Sequence, residues 1–107
     1  MALSTINIEK SGIDIELRGS RQILSLRKHI ILESNQILNM EIASNLNKPR
    51  FYKKMAGTNA WYYGGWFREN GENEFWDVRN FSYVLVITTQ NFKYKKIFIE
   101  VGRDFQL

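Results

Sequence analysis

Apolar and polar residues alternate along much of this chain, and a period of two predicts strands. Over Thr5–Glu9, Ile6 and Ile8 share one face. Ile13, Ile15 and Leu17 repeat the pattern after Lys10, Ser11 and Gly12, so the two runs read as a hairpin. In GSRQILSLRKHIILE, Ser20 is placed to cap a short helix within residues 20–28 that contains Ile23, Leu24 and Arg27, before residues 29–33 extend again. A turn at SNQ leads to a strand over 37–43 with Leu38, Met40 and Ile42 on one side. Residues 44–58 hold the only proline and little periodicity, which predicts the longest loop.

Further along, 61–69 and 74–79 flank NGEN, where Asn70 and Gly71 suit a tight turn that needs positive φ. The run SYVLVITT over 82–89 is almost continuously apolar, as a strand covered on both faces is. QNFK then turns the chain into 94–101. About seven strands at regular spacing, with no repeat and no linker, predict one all-β domain across residues 1–107.

Several of these pieces occur together in an order that has a counterpart. The strand R-K-H-I-I-L-E runs through S-N-Q into I-L-N-M-E-I. A loop ending in G-T leads to the glycine-bearing aromatic strand W-Y-Y-G-G-W-F. A charged hairpin follows into E-F-W-D-V-R, and then the paired strands Y-V-L-V-I and Y-K-K-I-F-I-E-V. Together they cover most of residues 12–101, and they resemble the bacterial pleckstrin-homology-like (PH-like) domains. That resemblance implies a mainly β, PH-like split barrel of about seven antiparallel strands. Members of the family close one barrel mouth with a C-terminal amphipathic helix, but here only residues 102–107 remain, so the capping helix is short or missing. The opening must then be plugged by Phe105 and Leu107, covered by the 20–28 helix, or buried against another chain. Self-association through Phe105 and Leu107 is the natural expectation. Eukaryotic relatives that bind phosphoinositides carry several basic residues around the first hairpin turn, whereas this chain has Lys10 alone, so no ligand residue is carried over.

Composition narrows the chemistry. With 44% apolar and 24% charged residues the chain reads as globular. The absence of cysteine removes disulfides and thiolate metal sites and suits a reducing compartment, so a cytoplasmic location is expected. No targeting segment or run of about 18 apolar residues stands out. The net charge of +4 admits anionic partners.

Residues 57–80 hold all three tryptophans, and the expectation is that Trp61, Trp66 and Trp76 line the interior while Gly64 and Gly65 let the strand bend. A stacking platform for nucleic acid needs interleaved basic residues, but only Arg68 is basic there, against Glu69, Glu72, Glu74 and Asp77, so nucleic acid is not the expected partner. Glu72, Glu74 and Asp77 could in principle pair, but their hairpin setting leads to the expectation that they are solvated. The basic run Lys48, Arg50, Lys53 and Lys54, with Phe51 and Tyr52 between, is the candidate contact for an anionic membrane surface or another acidic partner. Lys93, Lys95 and Lys96 read as protection of a strand edge.

His29 is the only histidine, and with no cysteine the chain offers neither a histidine metal cluster nor an obvious nucleophile with its base. Its position at a strand start fits a partly exposed structural side chain. No nucleotide-binding or zinc-protease motif appears. The expected function is a non-catalytic binding or assembly module that self-associates, without cofactor, metal or catalytic residues. The alternative is a peripheral binder of anionic surfaces through residues 48–54.

Overall fold

The computed structural model describes residues 2–47, 54–59, 62–69 and 71–107. It is mainly β, in two sheets. The first is a three-stranded antiparallel meander of β1 (Thr5–Glu9), β2 (Gly12–Glu16) and β3 (His29–Glu33), with helix α1 (Ser20–Ser25) in the β2–β3 connection. A 3-10 turn over Ser34–Gln36 carries the chain into the second sheet. That sheet contains β4 (Ile37–Ser44), β5 (Lys54–Asn59), β6 (Tyr63–Glu69), β7 (Glu72–Val78), β8 (Tyr83–Thr89) and β9 (Lys96–Glu100), in the order β4-β8-β9-β7-β6-β5.

The order departs from a single barrel of about seven antiparallel strands in three ways. There are more strands, and they divide between two sheets. The outer strands β4 and β5 do not pair with each other, so the six-stranded sheet stays open. One neighbouring pair, β7 and β9, runs parallel, with Phe75 opposite Ile97 and Asp77 opposite Ile99. The parallel pair arises because β9 inserts between β7 and β8, so the β7–β8 connection at 79–82 must arch over the end of β9. Four residues suffice for two strand spacings of about 4.8 Å each.

Packing follows the alternation. One face of the large sheet meets the small sheet, burying Ile13, Ile15, Leu17, Ile30 and Leu32 against Phe75, Leu85, Ile87, Ile97 and Ile99. The other face carries a second cluster of Phe67, Trp76, Val78, Val84, Val86 and Phe98. There the Trp76 and Phe98 rings stack at 3.8 Å and 12°. β8 is therefore covered on both sides, as its unbroken apolar run predicts.

Several local expectations need correction. The predicted loop at 44–58 ends in a strand, because β5 is made by backbone pairing with β6 and not by a hydrophobic pattern of its own. Lys54 thus begins a strand. Helix α1 includes Ser20, the expected cap, and its N-cap is Gly19 with no side-chain cap; it ends at Ser25, so Arg27 lies beyond the helix expected to contain it. Gly71, with φ of +79°, turns β6 into β7 as the Asn-Gly reading requires, while Asn70 lies outside the described residues. Trp76 is buried and Trp66 half-buried against the main core, whereas Trp61 lies outside the described residues.

Candidate functional site

The helix segment is built inside out. A six-residue helix in this position would ordinarily bury its apolar side chains. Here Arg21 and Ser25, one turn apart, face inward, while Ile23 and Leu26 are 75% and 67% exposed. Two sites follow from that orientation, one on each side of the helix.

On the inner side Arg21 is only 1% exposed, and its guanidinium is surrounded by partners. Its Nε donates to the Ala2 carbonyl at 2.8 Å, Nη1 to Asp77 Oδ1 at 2.8 Å, and Nη2 to Glu100 Oε1 at 2.8 Å. Asp77 is fully buried and also accepts from Ser4 Oγ at 2.5 Å and from the Tyr62 hydroxyl. Glu100 Oε1 takes a second bond from the Arg79 backbone N–H at 2.8 Å, which ties the arch over β9 to the same cluster. The Arg21 guanidinium lies 5.1 Å from the Tyr62 ring centroid.

The electrostatics follow from this geometry. Burial alone would pull the Arg21 pKa down, but Asp77 and Glu100 outweigh it and hold the group above its ordinary value. Burial, reinforced by the charge of Asp77, pushes the Tyr62 hydroxyl well above the ordinary tyrosine value. The expectation that Asp77 is solvated is therefore wrong. Asp77 shares the core-facing side of β7 with Phe75, and the N-terminal segment, α1 and Tyr62 close over it. The cluster clamps the N-terminal segment, α1, β7 and β9 together, and at its edge Arg21 and Glu100 line an open pocket with Leu46, Arg79 and Phe81.

On the outer side the same segment presents a different surface. Residues 17–32 contain Arg18, Arg21, Arg27, Lys28 and His29 and no Asp or Glu. Leu26 closes α1 in the left-handed region, with φ of +63°, at a position where glycine or asparagine is preferred. A non-glycine residue there costs on the order of 1 kcal/mol or more, yet the side chain it carries points into solvent. Next to it, Arg27 lies 5.5 Å from the Tyr94 ring centroid, and Lys93 lies 5.4 Å from the same centroid. Among the described residues neither cation has a carboxylate partner. Arg27 Nε is buried with no hydrogen-bond acceptor. Burial and then the charge of Arg27 pull Lys93 below its ordinary pKa.

The residues singled out in the sequence fare unevenly. Lys48, Arg50 and Lys53 lie outside the described residues, and only the backbone of Lys54 is described. Phe105 is half-buried and packs against the main core, while Leu107 is 58% exposed. His29 is a partly exposed strand residue, its Nδ1 3.1 Å from Asp14 and its Nε2 3.4 Å from Glu16 across β2. No group of three His, Asp or Glu among the described residues could hold a metal ion, and no helix among them is long and apolar enough to cross a membrane. Sequence reading missed that Ile23 and Leu26 are exposed in a segment that also carries Arg27 and Lys28. The signal present was the absence of any acid across 17–32. No family model, no curated protein and no solved structure matches the chain.

Proposed function

We propose that the chain is a non-catalytic binding module that docks on anionic membrane surfaces through the outer side of α1. The observation that carries this reading is the exposure of Ile23 and Leu26 in a segment, residues 17–32, that also holds Arg18, Arg27 and Lys28 and no acid. Apolar side chains that enter the headgroup boundary, ringed by cations that meet anionic lipid, are the two halves of peripheral membrane binding. Each cation near such a surface contributes about 1 kcal/mol, and full burial of an Ile or Leu side chain about 1.5–3 kcal/mol. The contact differs from the 48–54 run expected from sequence, of which residues 48–53 lie outside the described residues. The kinship with PH-like domains belongs to this reading, supported by the strands at 29–33, 37–44, 63–69, 72–78, 83–89 and 96–100, which form where the quoted motifs fall.

Co-sedimentation with vesicles tests it. The protein should pellet with vesicles containing phosphatidylserine, release as salt rises, and stay in solution with pure phosphatidylcholine. Replacing both Ile23 and Leu26 by Ser should weaken binding by about 2 kcal/mol, some thirtyfold, without loss of folding. Absence of pelleting at low salt ends the proposal.

Self-association is a second reading. It is favoured by Leu3, 40% exposed, and Phe105 lining one shallow hollow, with Leu107 exposed beyond it. Light scattering across concentration checks this, and Phe105→Asp should reduce any assembly formed. A monomer at every concentration removes it.

A further inference from the structure

We propose that the free edge of β4 is a pairing surface for a second copy of this chain, the two β4 strands running antiparallel about a twofold axis at Met40. The proposal rests on the self-association reading for the existence of an assembly, and it assigns the contact to β4 in place of the hollow beside Phe105. Four strands end the two sheets, β1 and β3 in the small one and β4 and β5 in the large one. Open strand edges are templates for pairing, and proteins blunt them with short strands, lysine, proline or a covering element. β1 and β3 have five residues each, while β5 opens on Lys54 and has α1 packed against it. β4 has eight residues, ILNMEIAS, without lysine, arginine or proline, and its bulge lies at its start, between Ile37 and Asn39. Among the described residues its one strand neighbour is β8.

The neighbouring ladders fix which main-chain groups of β4 face outward. In an antiparallel pair the N–H and C=O of one residue point to the same side, and the side alternates along the strand. Val101 N–H donates to the Tyr83 carbonyl at 3.1 Å and Thr89 N–H to the Lys95 carbonyl at 2.9 Å, so the odd-numbered residues of β8 face β9. The Ser82 carbonyl accepts from Asn45 N–H at 3.1 Å, so the even-numbered ones face β4, where they oppose Asn39, Glu41 and Ala43. Met40, Ile42 and Ser44 therefore turn their N–H and C=O groups to the open edge.

Twofold pairing on that edge sets even-numbered residues opposite even-numbered ones. With the axis at Met40, Met40 meets the partner's Met40, Leu38 meets the partner's Ile42, and Asn39 meets the partner's Glu41. Apolar faces apolar, and carboxylate faces carboxamide. An axis at Glu41 would put two carboxylates directly opposite each other, which is unfavourable. An axis at Asn39 would set Glu41 against Ile37, and one at Ile42 would set it against Ala43. Leu38 is 53% exposed in the single chain, and Asn39 and Glu41 are exposed, so the contact covers an apolar side chain without breaking any pairing inside the fold.

Sedimentation equilibrium of the full chain across concentration, joined to amide hydrogen exchange followed by NMR, tests the proposal. A dimer is expected in which the Met40 and Ile42 amides gain protection as concentration rises, while those of Glu41 and Ala43 are protected throughout. Asn39→Lys places an ammonium opposite the partner's Glu41 on both sides of the axis and should tighten the dimer about fivefold, and Asn39→Glu should weaken it by a similar factor. Asn39 is exposed, so neither change disturbs the core. Phe105→Asp should leave this dimer intact. A monomer at every concentration overturns the proposal and self-association together. A dimer that is lost in Phe105→Asp, or one whose Met40 and Ile42 amides exchange freely and whose affinity ignores both Asn39 variants, overturns the proposal alone and leaves self-association standing on another surface.

Discussion

Arg21 and Arg27 stand six residues apart in one segment, and each guanidinium sits over a tyrosine ring, at 5.1 Å from Tyr62 and 5.5 Å from Tyr94. Their surroundings have little else in common. Arg21 meets Asp77, Glu100 and the Ala2 carbonyl, and its charge is neutralised inside the fold. Arg27 meets another cation, and its Nε has no acceptor. The same residue type thus makes a clamp where carboxylates surround it and a half-buried, unneutralised cation where they are missing. Burial and partners decide between the two, and neither is visible in the residue itself.

The sharpest way to break the comparison is to remove each arginine in turn. Arg21→Gln strands Asp77 and Glu100 without their cation, and the loss should be about 3–5 kcal/mol, enough to threaten a domain of this size. Arg27→Gln removes no paired charge and should change stability by less than about 0.5 kcal/mol. Urea unfolding of the two variants checks both values. Similar costs for both would erase the distinction.

Next in size is Gly64→Ala. A Cβ on Gly64 would lie 2.3 Å from the Tyr62 ring, which is tied to Asp77, so the ring must shift and the clamp loosen. A cost of about 1–3 kcal/mol is expected by the same measurement. An unaltered midpoint would mean that Tyr62 is free to move.

The third prediction concerns alkaline pH. Tyr62 in the folded protein is raised above its ordinary value of 10.0 by burial and then by the charge of Asp77. Below pH 10 its contribution to stability is fully present. Above pH 10 the unfolded state releases a proton that the native state keeps, and stability falls by about 1.4 kcal/mol per pH unit. Tyr62→Phe should therefore be less stable than the parent near neutral pH, with the gap narrowing above pH 10. A gap that stays constant with pH would contradict the assignment.

The smallest effect is the most telling about purpose. Leu26→Gly relieves the left-handed backbone and should leave stability unchanged or raise it by up to about 1 kcal/mol, while weakening vesicle binding. Stability lost on this change would make Leu26 a folding residue and not a contact.

Much of the fold was legible because alternation records which side of a strand is covered. β8 reads as doubly buried and Gly71 marks the β6–β7 hairpin, while Trp76 is buried on the opposite face of its strand from Phe75 and not beside Trp66 in one interior. β5 was not legible, since K-M-A-G-T-N has no period and owes its extension to pairing with β6. The insertion of β9 between β7 and β8 was equally hidden, because strand order is set by contacts distant in sequence. Asp77 was half-legible. Its parity with Phe75 places it on the core face, but a carboxylate near a charged hairpin reads as solvated until the partners Arg21, Ser4 and Tyr62 are seen. For α1 the pattern misleads, since nothing in S-R-Q-I-L-S says that the arginine points in and the isoleucine out.

Hydrogen exchange, followed by mass spectrometry with and without phosphatidic acid vesicles, puts the two arginine environments in one experiment. The account predicts new protection over residues 20–28 on vesicle binding, with the peptides carrying Tyr62, Asp77 and Glu100 unaltered. Protection confined to other segments, or none despite bound vesicles, would contradict it.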